Sequence, residues 1–129
     1  MLAPGRLAML LVLSIPIDGR ALRVRTHDPE WLAPVAAASK RNPLAGRADA
    51  RAGGGRVFRD RCSSCHGDDG RGTTTAPDLT QPVVQSQSDG ALFWKISGGN
   101  AYAGMPTFSF LPEAQRWQLV LHLRELAKP

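Results

Sequence analysis

Only two cysteines occur in the 129 residues, Cys62 and Cys65, and His66 follows the second directly. That count and spacing rule out a disulfide framework, because a bridge across two intervening residues closes too small a loop to stabilise a fold. The pair must serve chemistry, and the rest of the chain must accommodate whatever it holds. If the segment is helical, Cys62 and Cys65 share a face with His66 beside them. A redox dithiol normally sits where strands and helices alternate, and no such alternation surrounds this pair. A zinc site needs four ligands, and the only other histidines are His27, in an irregular basic stretch, and His122, in an apolar helical pattern near the C-terminus.

The pattern Cys62-Ser63-Ser64-Cys65-His66 is that of covalent c-type haem attachment. Two thiols on one helix face reach the two vinyl groups at one edge of a porphyrin, which fixes the ring plane and sets the histidine beneath the iron. The expectation is one haem c, bonded through Cys62 and Cys65 and ligated by His66. Methionine occurs at positions 1, 9 and 105, so removal of an N-terminal leader would leave Met105 alone. It lies between Gly104 and Pro106, a loop setting that gives it no core role, and its soft thioether would favour ferrous iron and raise the reduction potential. Two alternatives stand beside this. Met105 could fill a gap at the haem edge, or His122 could be the second ligand, although Leu119 and Leu123 facing the core leave His122 on a helix flank.

Residues 1–21 read as a signal peptide: Arg6 gives a positive start, Leu7 to Ile17 is apolar apart from Ser14 and Pro16, and Gly19 and Ala21 suit cleavage. The apolar run is about half the roughly 20 residues a spanning helix needs. Residues 22–53 mix Pro, Ala, Arg and Gly without a period and read as a basic arm or linker, with Trp31 and Leu32 able to dock on the domain. Nine Arg or Lys face four Asp or Glu between 22 and 61, but five face six between 62 and 129, so most of the net charge of +5 lies ahead of the histidine. A nucleic-acid binder would carry its basic patch on the folded module with aromatics interleaved, so nucleic acid is excluded as the partner. The arm reads first as a solvated basic segment, with contact to an acidic partner or an anionic membrane surface as the alternative.

Residues 54–129 read as the folded domain, all-α with three to four short helices and long loops. A helix runs over Arg56 to Cys65 and stops at Gly67, a second is capped by Ser88 or Asp89 and ends at Gly98-Gly99, and the last starts at Pro112-Glu113 with Trp117, Leu119, Val120, Leu121, Leu123 and Leu126 on a broad apolar face. Loops that long in so small a domain need something other than polypeptide at the centre, and a large apolar cofactor supplies it.

At this point residues 54–129 resemble the class I cytochrome c family. The resemblance rests on Gly54 and Phe58 ahead of Cys62, the Cys62 to Gly67 motif, Ala76-Pro77-Asp78-Leu79, the Leu92 to Gly99 helix, Gly104-Met105-Pro106 with Phe108, and the last helix. It implies that Met105 is the distal iron ligand, that the Pro77 carbonyl accepts a hydrogen bond from His66, and that Gly54 and Phe58 pack the first helix on the last near Trp117 and Leu121. His122 departs from it, standing where many members place an aromatic ring. Trp94 is a candidate donor to a haem propionate, with ordinary packing as the alternative, and Tyr102 is open in the same way. Phe108, Phe110, Leu92 and Ile96 would keep water from the iron.

With both axial positions filled by protein, the chain is expected to be an exported, mono-haem carrier of single electrons between unidentified redox partners, not an enzyme, and periplasmic in a two-membrane bacterium. No spanning helix is expected in the mature chain, which would be a monomer or a subunit. The rivals are a fixed subunit of an exported dehydrogenase or oxidase complex docked through the arm, a haem sensor or peroxidase in which Met105 dissociates, and a thiol-disulfide oxidoreductase.

Overall fold

Three successive glycines in the middle of a helix look like a place for it to end, yet here they are its packing face. The computed structural model describes residues 30–129, and in it α2 runs unbroken from Ala48 to Arg61, burying Ala50, Gly53, Gly54, Gly55 and Phe58. A Cβ on Gly54 would run into the backbone carbonyl of Gln118 in α6 (Glu113–Leu126). The two backbones therefore cross with nothing between them at this point. Each helical glycine costs about 1 kcal/mol relative to alanine, and the close approach that α2 and α6 gain offsets it. Phe58, 1% exposed, sits one turn further on, and the core continues through Trp117, Leu119, Val120 and Leu123 of α6.

The boundary expected at Gly54 thus falls inside a helix that starts at Ala48. The misreading has a physical cause: Gly53 to Gly55 carry no hydrophobic signal, so nothing in the sequence distinguishes a linker from a helix pressed against another backbone. The residues before α2 are also held in place. After the single turn α1 (Val35–Ala38), the Asn42 side chain donates to the Trp117 carbonyl at 3.0 Å, and the Ser88 hydroxyl donates to the Ala38 carbonyl at 2.6 Å. The Lys95 ammonium stands 4.7 Å from the centre of the Trp31 ring. Trp31 docks as expected for it, whereas Leu32 is 67% exposed. The leader expected over residues 1–21 and the arm up to residue 29 lie outside the described residues.

The next helix, α5 (Asp89–Gly98), starts where the sequence indicates, with the Ser88 hydroxyl accepting from the Ala91 amide at 3.1 Å. Gly99 follows with φ of 63°. Leu92 and Ile96 join the core together with Phe108 and Leu111 from the loop beyond. Arg124 of α6 pairs with Asp89 at 2.8 Å and donates to the Gln85 and Gln87 carbonyls, fastening the start of α5 to the last helix. Three helices of ten or more residues are therefore present among the described residues. Three single turns accompany them: α1, α3 (Ser63–His66) and α4 (Pro82–Gln85). Four residues are too few for periodicity to register, so α1 and α4 escape a reading by pattern. No strand occurs among the described residues, only an isolated bridge between Asn100 and Met105. Nor is any described helix long and apolar enough to cross a membrane.

Candidate haem-attachment site

The cysteine motif begins where α2 ends. Cys62 leaves helical geometry at φ −120° and ψ −34°, and the chain then makes the single turn α3, in which the Cys65 and His66 amides both donate to the Cys62 carbonyl at 3.2 and 2.9 Å. Gly67, at φ 81°, stops that turn. The following loop then folds back beneath the motif. The Gly72 amide donates to the His66 carbonyl at 2.7 Å, the Leu79 amide to the Gly70 carbonyl at 2.7 Å, and the Thr73 hydroxyl to the Cys65 carbonyl at 2.6 Å. Gly72 has φ of 84°, and a Cβ there would lie 2.7 Å from the Asp78 amide nitrogen. Only glycine serves at such a crossing.

That fold-back carries Pro77 to the histidine. Nδ1 of His66 lies 2.9 Å from the Pro77 carbonyl oxygen. A carbonyl can only accept, so Nδ1 carries the proton and donates, which leaves the lone pair of a neutral imidazole on Nε2. Burial pushes the His66 pKa down and the Pro77 bond partly opposes it. The result is an imidazole held in one tautomer, with the Nε2 lone pair available to a metal.

Cys62 and Cys65 are half-buried and unbridged. Burial, and secondarily the neighbouring Cys65, push the Cys62 thiol up to about 11. A thiol raised in this way is not itself an activated exchange nucleophile. Among the described residues, no group of three or more His, Cys, Asp or Glu could hold a bare metal ion.

Met105 sits on a different loop, between α5 and α6. Its amide and carbonyl exchange bonds with the carbonyl and amide of Asn100, both at 2.9 Å. Asn100 is buried, and its side chain accepts from the Ala103 amide at 3.2 Å, closing a 3-10 turn over Ala101–Ala103. Gly104, in the left-handed region at φ 82°, turns the chain into Met105. The two loops meet through the core: Cys62, Leu79, Phe93 and Met105 all pack against it while keeping part of their surface open. The donor set, two unbridged cysteines, an imidazole with Nε2 free and a thioether among apolar side chains, fits a haem bonded through two thioethers.

The remaining candidates divide. Leu92, Ile96 and Phe108 are buried as expected of pocket residues, but Phe110 is 64% exposed, with the Arg61 guanidinium 5.9 Å from its ring centre. Trp94 is half-buried on α5, and its indole N–H makes no hydrogen bond among the described residues. Tyr102 is fully exposed. His122 faces Phe58 with ring centres 5.0 Å apart and planes tilted by 48°, so an imidazole takes the ring position in the α2 and α6 contact. Gly72, Thr73 and Asn100 also shape the site, and no motif in the sequence marks them. Thr73 and Asn100 beside glycines are common turn residues, and their specific roles depend on contacts made only after folding.

Residues 49–123 match the family described as Cytochrome C oxidase, cbb3-type, subunit III. The match starts in the first turn of α2 and ends within the last turn of α6, covering both loops of the site.

Proposed function

The chain belongs to that family and carries a c-type cytochrome domain, and from this premise we propose that it moves single electrons between protein partners through one haem c bonded to Cys62 and Cys65, with His66 and Met105 as iron ligands. Haem-based electron transfer is what such a domain provides. The bound haem supplies a one-electron couple. The chain's residues do the rest: two thioethers fix the ring plane, the Pro77 carbonyl holds His66 in the ligating tautomer, the thioether of Met105 favours the reduced iron, and Leu92, Ile96 and Phe108 exclude water. The observation that carries the reading is the 2.9 Å contact between His66 Nδ1 and the Pro77 oxygen. An imidazole aimed by the Pro77 carbonyl and directly following two unbridged cysteines is arranged for a metal on its other nitrogen.

No substrate is transformed in this reading, and electrons leave at the edge where the Cys62 and Cys65 thioethers come to the surface. Export follows from the attachment chemistry, which needs maturation outside the cytoplasm, and from the leader pattern in residues 1–21. The family's description favours a second reading of the same chemistry, a fixed subunit of an oxidase complex, and co-purification of a stable partner would select it over a free shuttle.

The test is a visible spectrum of the mature protein, oxidised and reduced, before and after acid-organic extraction. Haem that stays with the polypeptide, with low-spin bands and a far-red methionine-to-iron band lost in Met105→Ala, is the expected result. Extractable haem, or none after expression with competent maturation machinery, would falsify the attachment. Retained haem without the far-red band would instead assign Met105 another role.

A further inference from the structure

The segment carrying Met105 leaves α5 beyond Ser97 in its last turn and leads through Leu111 into α6, and one side chain touches both ends. Arg116, half-buried in the first turns of α6, donates through Nη1 to the Ser97 hydroxyl at 2.5 Å and through Nε to the Leu111 carbonyl at 3.2 Å. Its guanidinium carbon lies 4.7 Å from the centre of the Phe93 ring. Phe93 stacks in turn on Trp117 with ring centres 3.9 Å apart and planes 18° from parallel, so Arg116 rests on a wedge set in the core. Ser97 is a junction. Its hydroxyl donates to the Phe93 carbonyl at 2.7 Å, and its own carbonyl accepts from the Thr107 hydroxyl at 2.6 Å, two residues beyond Met105. Beside it the Phe108 amide donates to the Ile96 carbonyl at 3.2 Å.

We propose that Arg116 is a positioning residue that holds both ends of the Met105 loop together and thereby sets how often the methionine leaves its axial position. The inference rests on reading Met105 as the distal ligand. Moving Ser97 away from Leu111 must break at least one of these two hydrogen bonds from a permanently charged donor, among the strongest a protein offers. The guanidinium reaches the two acceptors in diverging directions, which a lysine cannot reproduce. The bonds between Asn100 and Met105 lie within the loop and would travel with it, so they do not anchor it to the rest of the fold. Loops of this kind open locally at a free energy below that of global unfolding, and an external ligand competes for the iron in proportion to the open population.

The experiment titrates imidazole into the oxidised holoprotein and follows the far-red methionine-to-iron band, in the native protein, Arg116→Gln, Arg116→Lys and Ser97→Ala. In Arg116→Gln imidazole should bind about ten-fold more tightly, as expected when charge-assisted bonds closing a loop are lost. Arg116→Lys, retaining the cation over Phe93, should fall between, and Ser97→Ala serves if Arg116→Gln does not accumulate. In a Met105→Ala background Arg116→Gln should leave imidazole affinity unchanged, because no methionine remains to displace. A change of equal size in that background, or unchanged affinity in Arg116→Gln despite a lower unfolding midpoint, would show a merely structural role and overturn the proposal. A native protein with haem but no far-red band removes Met105 from the iron and the clamp with it, while leaving attachment through Cys62 and Cys65 intact.

Discussion

The two loops that supply the proposed axial ligands are held by different means. Around His66 every tether comes from nearby in sequence: Cys62 begins the turn, Gly67 ends it, and Gly72, Thr73 and Pro77 return beneath it. Around Met105 the inner bonds are also local, through Asn100, but the ends of the loop are secured by Ser97 and Leu111 meeting Arg116 of another helix. The histidine side is also continuous with α2, whose glycines are pressed against α6. A rigid proximal side and a tethered distal side follow, so the same size of perturbation should unfold the one and merely loosen the other.

The largest effect should come from the helix that delivers the motif. Gly54→Leu places a branched side chain where even a Cβ collides with the Gln118 backbone, and a backbone carbonyl of α6 cannot yield as a side-chain end can. The cost should exceed about 4 kcal/mol, in the range of severe overpacking, which is most of the stability of a domain this small. The measurement is the far-UV spectrum and the yield of haem-bearing protein, both of which should collapse. A folded Gly54→Leu protein of near-native urea midpoint would mean that α2 and α6 do not cross at that point, and the proximal side would lose its claim to rigidity.

Asn100→Ala should do much less to the whole and more to one place. It removes the side-chain oxygen that accepts from the Ala103 amide, while the backbone bonds to Met105 remain available. A loss of about 1 kcal/mol in global stability is expected, with the far-red band weakened at temperatures well below the unfolding midpoint. Equal loss of both signals in one transition would contradict a separately mobile distal loop.

These differences also explain what the sequence could disclose. Cys62, Cys65 and His66 are legible because the chemistry is written in five contiguous residues. Pro77 became legible only through family resemblance, since nothing in an Ala-Pro-Asp-Leu stretch says where its carbonyl points. The start of α2 was not legible because Gly53 to Gly55 are helical for the sake of α6, a contact across more than half the domain. Arg116 was not legible either: periodicity places it off the apolar face of the last helix, and its work depends on Ser97, Leu111 and Phe93 coming together.

The smallest effect sharpens the comparison by pH, and it belongs to the rigid side. His122 lies against Phe58 and near Gly55, and the charged groups facing it are Arg59 from α2 and Glu125 from its own helix. Burial, and then Arg59, lower its pKa, with Glu125 opposing. The unfolded chain therefore takes up this proton first as pH falls below about 6.5, the ordinary histidine value. Stability contributed by the neutral ring is intact above that pH, declines as pH falls towards the folded-state pKa, and is lost beneath it. Asp49, Asp78 and Glu125 have pKa values lowered from ordinary carboxylate values and titrate at more acid pH, and a His66 bonded to iron takes up no proton in this range. In the holoprotein the urea midpoint should drop modestly between pH 7.5 and pH 5, and His122→Phe, which keeps a ring against Phe58, should flatten that drop. The far-red methionine band should be unaffected over the same range, since among the described residues no histidine holds the Met105 loop. If the band fades with the midpoint, and His122→Phe rescues both, then the proximal crossing and the distal loop are one cooperative unit and their division here is wrong.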